Sequence, residues 1–171
     1  YIATICASAV IVPIDKELMP DQIVSFANVS ECEAVFITPA CKKKLGAQLD
    51  CLQAKHVIDI DQNAFIPYDG SYETIAEEKN LNIYALIAYG AHLLSIGYMG
   101  IYNITYNVDD LCAIIYTSGT TGTSKGVMLS QHNILSCAAC CANITPYSTK
   151  DVLLSVLPMH HTYETTIQIA V

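Results

Sequence analysis

The chain has 171 residues, 53% of them hydrophobic and only 14% charged, with a formal net charge of −8. That length suits one domain, or one lobe of a larger body, with enough apolar material for a proper core. The acidic balance excludes nucleic acid and anionic membrane surfaces as main partners, but not a nucleotide pocket, which needs only local positive potential.

The apolar stretch from Ile2 to Ile14 runs into Pro13 and Asp15. At about 13 residues it is short of the roughly 18 that span a bilayer, and no basic leader marks it as a signal peptide. It reads as the end of a helix passing into a buried strand, Ala9 to Ile14, so the chain is expected to start within a structure. Asp15 to Pro20 is a turn-rich break, and Asp21 to Asn28 a short helix with Asp21 near its cap. Glu33 to Thr38 is a strand closed by Pro39. Ala40 to Leu52 has helical spacing through Leu45, Leu49 and Leu52, with Lys42, Lys43 and Lys44 as a solvated face. His56 to Asp61 is a third strand. Strand, helix, strand at this pitch predicts parallel βαβ units.

Asn63 to Thr74 is polar and turn-rich. Ile83, Leu86, Ile87, Leu93 and Leu94 fall on one stripe, predicting an amphipathic helix over Ile83–Ser95 that holds His92 as a partly buried histidine. Gly97 to Asn107 is irregular and rich in tyrosine. Leu111 to Thr117 and Val127 to Leu129 are strands, Ser130 an N-cap, and Gln131 to Asn143 a helix. Val152 to Leu157 is a last strand, ended by Pro158. The fold class is α/β, a layered α/β/α arrangement with a mostly parallel sheet, and residues 1–171 are one partial domain. The eight cysteines lack the regular spacing of a secreted scaffold, so reduced thiols and a cytoplasmic home are expected. Cys137, Cys140 and Cys141 form a CxxCC cluster without a second CxxC. They read as buried small hydrophobes on a helix face rather than a metal site.

"IIYTSGTTGTSKGVMLS", Ile114 to Ser130, carries the chemistry. Glycines let backbone N–H groups turn toward one point, hydroxyls add donors without bulk, and Lys125 supplies mobile positive charge. Such a loop suits a polyphosphate, and equally the tip of a hairpin between two strands. It fails the Walker A pattern twice, because Ser124 stands where a glycine is needed and Gly126 where a hydroxyl is needed. No G-x-G-x-x-G occurs, so the Rossmann fingerprint fails too.

"YTSGTTGTSKGV", Tyr116 to Val127, resembles the signature loop of the adenylate-forming superfamily: acyl-CoA synthetases, peptide-synthetase adenylation domains and luciferases. The family pattern usually has proline where this chain has Ser124. "AVIVPIDKELMP", Ala9 to Pro20, is similar to the upstream strand and turn, and "LLSVLPMHHTYE", Leu153 to Glu164, to the following proline-led histidine loop. The three motifs stand in the family's order and cover nearly the whole chain.

The resemblance implies that a carboxylate attacks the α-phosphorus of ATP, with Mg²⁺, releasing pyrophosphate and forming an acyl-adenylate. Coenzyme A then takes the acyl group. Thr117, Ser118, Gly119, Thr120, Thr121, Gly122, Thr123 and Lys125 would cradle the β- and γ-phosphates, with Thr120 and Thr121 the best direct contacts. Thr120 is also the candidate for touching the magnesium, and Lys125 an electrostatic clamp on the departing pyrophosphate. His161 would stand at the mouth of the acyl pocket, which Tyr163 helps line, while His160 packs or hydrogen-bonds. Adjacent histidines point apart, which disfavours a metal pair. Glu164 in "HHTYE" looks more like fatty-acyl ligases than amino-acid adenylating domains, so the parent is expected to be a long-chain fatty-acyl-CoA synthetase. It is expected in the cytoplasm, with peripheral membrane attachment open.

The family's adenine-binding loop, magnesium-binding acid, ribose-binding aspartate, hinge and C-terminal domain with its adenylation lysine belong to later sequence. The 171 residues are therefore expected to be a segment that is catalytically silent alone, and its unpaired edges predict self-association. Two other readings stay open: a non-catalytic nucleotide-binding or interaction module of the same fold, and a metal-binding regulator using CxxCC and the histidines.

Overall fold

The computed structural model describes residues 1–61, 74–117, 124–144, 148, 150–158 and 160–170. They form two compact units, Lys16–Tyr102 and Tyr1–Asp15 with Asn103–Val171. The architecture is α/β.

In Lys16–Tyr102, β1 (Ala34–Ile37), β2 (His56–Asp59) and β3 (Asn80–Asn82) form a parallel sheet in that order. Register runs from Ala34 opposite His56, and from Val57 opposite Asn80. Helix α2 (Pro20–Val29) opens with proline at its first turn, where the missing N–H costs nothing, and Gln22 Oε1 accepts from the Met19 N–H at 3.1 Å. Val24 and Ala27 face inward.

Thr38 caps α3 (Pro39–Leu45) by accepting from the Cys41 N–H at 3.2 Å. The helix stops at Gly46, whose φ of +50° suits glycine, and one 3₁₀ helix, Gly46–Cys51, carries the chain on. The expected Ala40–Leu52 helix is therefore two pieces, with Leu45 and Leu52 buried as the spacing required. Lys42, Lys43 and Lys44 occupy the last turn of α3, where cations complement the helix dipole. They remain exposed, yet Lys42 pairs with Asp59 at 3.3 Å and the Lys44 ammonium donates to the Lys16 carbonyl.

Helix α4 spans Ile83–Ser95, as predicted, and Asn82 Oδ1 accepts from the Ala85 N–H at 2.8 Å. Its packed face differs from the predicted stripe. Ile58, Ile75, Leu81 and Ala85 make the core, flanked by Leu86 and Tyr89, while Ile87 and Leu94 stand 60% and 65% exposed. The short β3 runs directly into α4, and that junction fixes which side of the helix meets β2. His92 is half-buried, as expected.

In the other unit, α1 (Ile2–Cys6) precedes the segment predicted as strand Ala9–Ile14. Only Ile11 pairs there, as a parallel bridge to Ala113. The bridge rests on Ile11 N–H to Cys112 O at 2.9 Å and Ile114 N–H to Ile11 O at 3.0 Å. Strands β4 (Leu111–Thr117) and β5 (Lys125–Ser130) form an antiparallel hairpin. Ser130 Oγ accepts from the Asn133 N–H at 3.2 Å at the start of α5 (Gln131–Ile144), as an N-cap should.

Cys112, Ala113 and Ile134 are the core, with Ile11 and Leu129 against it. Helix α5 packs on α6 (Thr162–Ala170). Two expectations fail here. Val152 to Leu157 has a strand's composition but no strand pairing among the described residues, and Val152 and Leu154 are 97% and 82% exposed. On α5, Ile134 and Ala138 take the buried face, which leaves Cys137 and Cys140 exposed and Cys141 half-buried rather than in the core.

Candidate active site at the end of the hairpin

Thr117 and Lys125 are the last pair of the β4–β5 ladder, so they close the base of the loop that joins the strands. The Thr117 hydroxyl donates to the Lys125 carbonyl at 3.5 Å, tying the two ends together. Gly126 faces Tyr116, and a side chain there would come within 3.0 Å of Ile114 Cγ2. The Tyr116 ring would meet that side chain at 3.6 Å, an ordinary contact, so the crowding comes from Ile114. Lys125 is exposed, and no acid among the described residues lies in ion-pair range of it. Ser118, Gly119, Thr120, Thr121, Gly122 and Thr123 lie outside the described residues. The residues between β4 and β5 join the two strands of a hairpin.

The Ile11–Ala113 bridge brings the first motif beside the second. The two segments run in the same direction, and four residues beyond the bridge lie Asp15 on one and Thr117 on the other. Ligands of α/β sheets gather outside the carboxyl ends of parallel strands, the direction in which both segments run from the bridge. The third motif meets the first. Asp15 Oδ2 lies 3.7 Å from His160 Nε2, with the two side chains 35% and 31% exposed. The sequence implies only that His160 packs or hydrogen-bonds; its partner carries no local signal, since no pattern within either motif encodes a contact so distant along the chain.

His161 stands just ahead of α6, and its Nδ1 accepts from the Tyr163 N–H at 3.3 Å. The ring thereby satisfies one of the helix's orphan donors, as an N-cap does. Its backbone N–H turns back to the Pro158 carbonyl at 2.9 Å. A neutral imidazole whose Nδ1 accepts carries its proton on Nε2, so the exposed face of His161 is a hydrogen-bond donor. Tyr163, the expected pocket residue, is 59% exposed. Glu164 is buried and accepts from the Ser155 hydroxyl, which ties the segment before the histidine loop to α6.

Burial pushes the Cys112 thiol up, and burial together with Cys112 raises the Tyr1 phenol, which the Thr165 side chain partly offsets. All eight cysteines are free thiols. Among the described residues no three His, Cys, Asp or Glu side chains converge as a metal site, and no helix is long and apolar enough to cross a membrane.

Residues 1–171 match the pattern of the AMP-binding enzyme family along their whole length. The chain belongs to that family. Among AMP-binding enzymes, long chain acyl-CoA synthetase 6, peroxisomal, of Arabidopsis thaliana is 29% identical over 163 residues, 95% of this chain and 22% of the relative. Malonate–CoA ligase ACSF3, mitochondrial, of Xenopus laevis is 30% identical over 133 residues, 73% of this chain and 22% of that protein. The crystal structure of ATP-bound MatB from Rhodopseudomonas palustris superposes with a TM-score of 0.69 at 26% identity, covering 98% of this chain and 29% of that one. The chain thus spans about a fifth of the length of the curated AMP-binding relatives it matches.

Proposed function

We propose that the protein carrying this chain activates a carboxylic acid, with a fatty acid as the substrate class, and passes it to coenzyme A. The carboxylate oxygen attacks the α-phosphorus of MgATP, and the bond to the β-phosphate oxygen breaks. Pyrophosphate leaves, and the acyl group is bound to AMP. The coenzyme A thiol then adds to the acyl carbon, loses its proton and displaces AMP. The observation that carries this reading is the contact of Asp15 with His160 just past the pairing of Ile11 with β4, the strand whose hairpin ends at Thr117 and Lys125. Long-chain acyl-CoA synthetases among the relatives, and the Glu164 hint, support the fatty acid.

In this reading the residues from Thr117 to Lys125, with Thr120 and Thr121 foremost, hold the β- and γ-phosphates. Charge builds on the leaving oxygens, so donors fixed before reaction are worth most there. Lys125, with no competing acid, clamps the pyrophosphate. His161 donates from Nε2 to an oxygen of the carboxylate or the α-phosphate, and Tyr163 lines the acyl side. Magnesium would enter with the nucleotide, held chiefly by its phosphates, with Thr120 as the chain's own candidate ligand. When bound it neutralises phosphate charge. The irregular cysteine spacing favours a reducing compartment, and we place the protein in the cytoplasm, to be checked by imaging a tagged full-length protein.

Carboxylate-dependent exchange of labelled pyrophosphate into ATP by the full-length protein tests the activity. No exchange with any fatty acid offered would overturn the substrate class, and none with any carboxylate would overturn the reaction. The 171 residues alone are expected to be silent in that assay, and robust exchange by them would refute the silence.

A further inference from the structure

We infer that Asp15 is a positioning residue, holding the histidine loop through His160 so that His161 keeps a fixed place relative to Thr117 and Lys125. The inference rests on the proposed carboxylate activation for its catalytic consequence. Its structural part stands on the contact itself. Asp15 is four residues past Ile11, and Ile11 is hydrogen-bonded into β4 on both sides, to Cys112 and to Ile114. The carboxylate therefore follows closely on a bridge into β4, the strand that ends at Thr117 and, through the hairpin ladder, meets Lys125.

Asp15 adds a second mount beside the Ser155–Glu164 hydrogen bond. Residues 151–157, which lead into it, form no strand, and Leu157 is 42% exposed. On its far side the loop is fixed to α6 by the His161 cap and the Pro158–His161 turn. On its near side Asp15 reaches His160 at 3.7 Å. His160 and His161 are consecutive, so holding the first imidazole limits where the second ring can be presented. A half-exposed carboxylate–imidazole pair contributes little to stability. A small displacement of a substrate-facing donor, by contrast, costs rate steeply. The pair therefore matters to geometry more than to folding.

The test uses the full-length protein with D15N, D15A, H160Q and the D15A/H160Q double variant. Exchange rates and the His161 ring ¹⁵N shifts are read on each, and the His160 ring ¹⁵N shifts on the variants that keep that residue. D15A is expected to lower kcat about tenfold while KM for ATP moves by less than about twofold, since uniform binding is untouched. H160Q should match it, and the double variant should lose no more than either single, because both break one contact. D15N should move the His160 ring nitrogens. Unchanged kcat in D15A, or losses that multiply in the double variant, would overturn the positioning role. His160 nitrogens that ignore D15N would overturn the contact whatever the activity. A wild-type protein without exchange would instead sink the proposed function, which is a separate failure.

Discussion

Replacing Lys125 with alanine probes the proposed pyrophosphate clamp most directly, because the structure predicts a clean perturbation. Lys125 is exposed and pairs with no acid among the described residues, so its truncation should leave stability within about 0.5 kcal/mol of the wild type. Its electrostatic share follows from Coulomb's law. A unit charge about 4 Å from a phosphate oxygen is worth about 1 kcal/mol in water and about 4 kcal/mol at an effective dielectric of about 20. An exposed ammonium on the rim of a hairpin lies nearer the lower end, at about 2 kcal/mol. That is about thirtyfold in rate. The assay is pyrophosphate exchange by the full-length Lys125→Ala protein at saturating carboxylate and varied MgATP. A clamp on the leaving group predicts that kcat carries the loss, whereas a grip on ground-state ATP predicts a raised KM. Lys125→Arg keeps the charge and should recover most of the rate. A kcat/KM for the alanine variant equal to the wild type, with the same melting curve, would remove Lys125 from the mechanism.

Asn82→Ala removes the acceptor for the Ala85 N–H at a buried residue, so it should destabilise by about 1–2 kcal/mol and speed exchange of that amide. Asn82→Ser should be nearly neutral, and coincident urea midpoints for the alanine variant and the wild type would refute the cap. Hydrogen bonds from the Ser148 hydroxyl at 2.8 Å and backbone N–H at 2.7 Å hold Asp151 below its ordinary pKa. Its folded pKa is depressed, so the turn's support is present above the ordinary carboxylate pKa and fades as pH falls through the lower folded value. Ser148→Ala should raise the Asp151 midpoint in a carboxyl NMR titration, and an unmoved midpoint would contradict this. Val152, Leu154 and Val156 are 97%, 82% and 72% exposed, so the isolated chain should self-associate. Val152→Lys with Leu154→Lys should lower its light scattering, and a wild-type chain that scatters as a clean monomer would disprove the prediction.

The hairpin was legible in the sequence because its two strands carry their own signals: β-branched runs bracketing a loop of glycines and hydroxyls, then Ser130 as a cap. Helix α4 was legible in extent for a similar reason, yet its buried face was not, since Ile83, Ile87 and Leu94 satisfy helical spacing as well as Leu81, Ala85 and Tyr89 do. The deciding fact is the packing of β3 on β2, a contact between distant segments. Strand β3, "NLN", has residues that disfavour strands and exists through that pairing alone. Val152 to Leu157 shows the converse, a strand-like composition with no partner strand among the described residues. Of the candidate site, Thr117 and Lys125 appear as paired loop ends and His161 as a helix cap. The Asp15–His160 contact was invisible because neither residue's neighbours encode it.

The cap on α6 makes the Tyr163 amide a spectator with a view of His161. While the imidazole sits over the helix end, that N–H is held by Nδ1 at 3.3 Å, and when the ring swings away the N–H turns to solvent. Its hydrogen exchange thus counts how often His161 leaves station, with no substrate, label or turnover required. An occupant of the proposed carboxylate site that steadies the ring would slow this single amide, and an unrelated ligand would not. The fold has in effect wired a gauge to its own candidate donor.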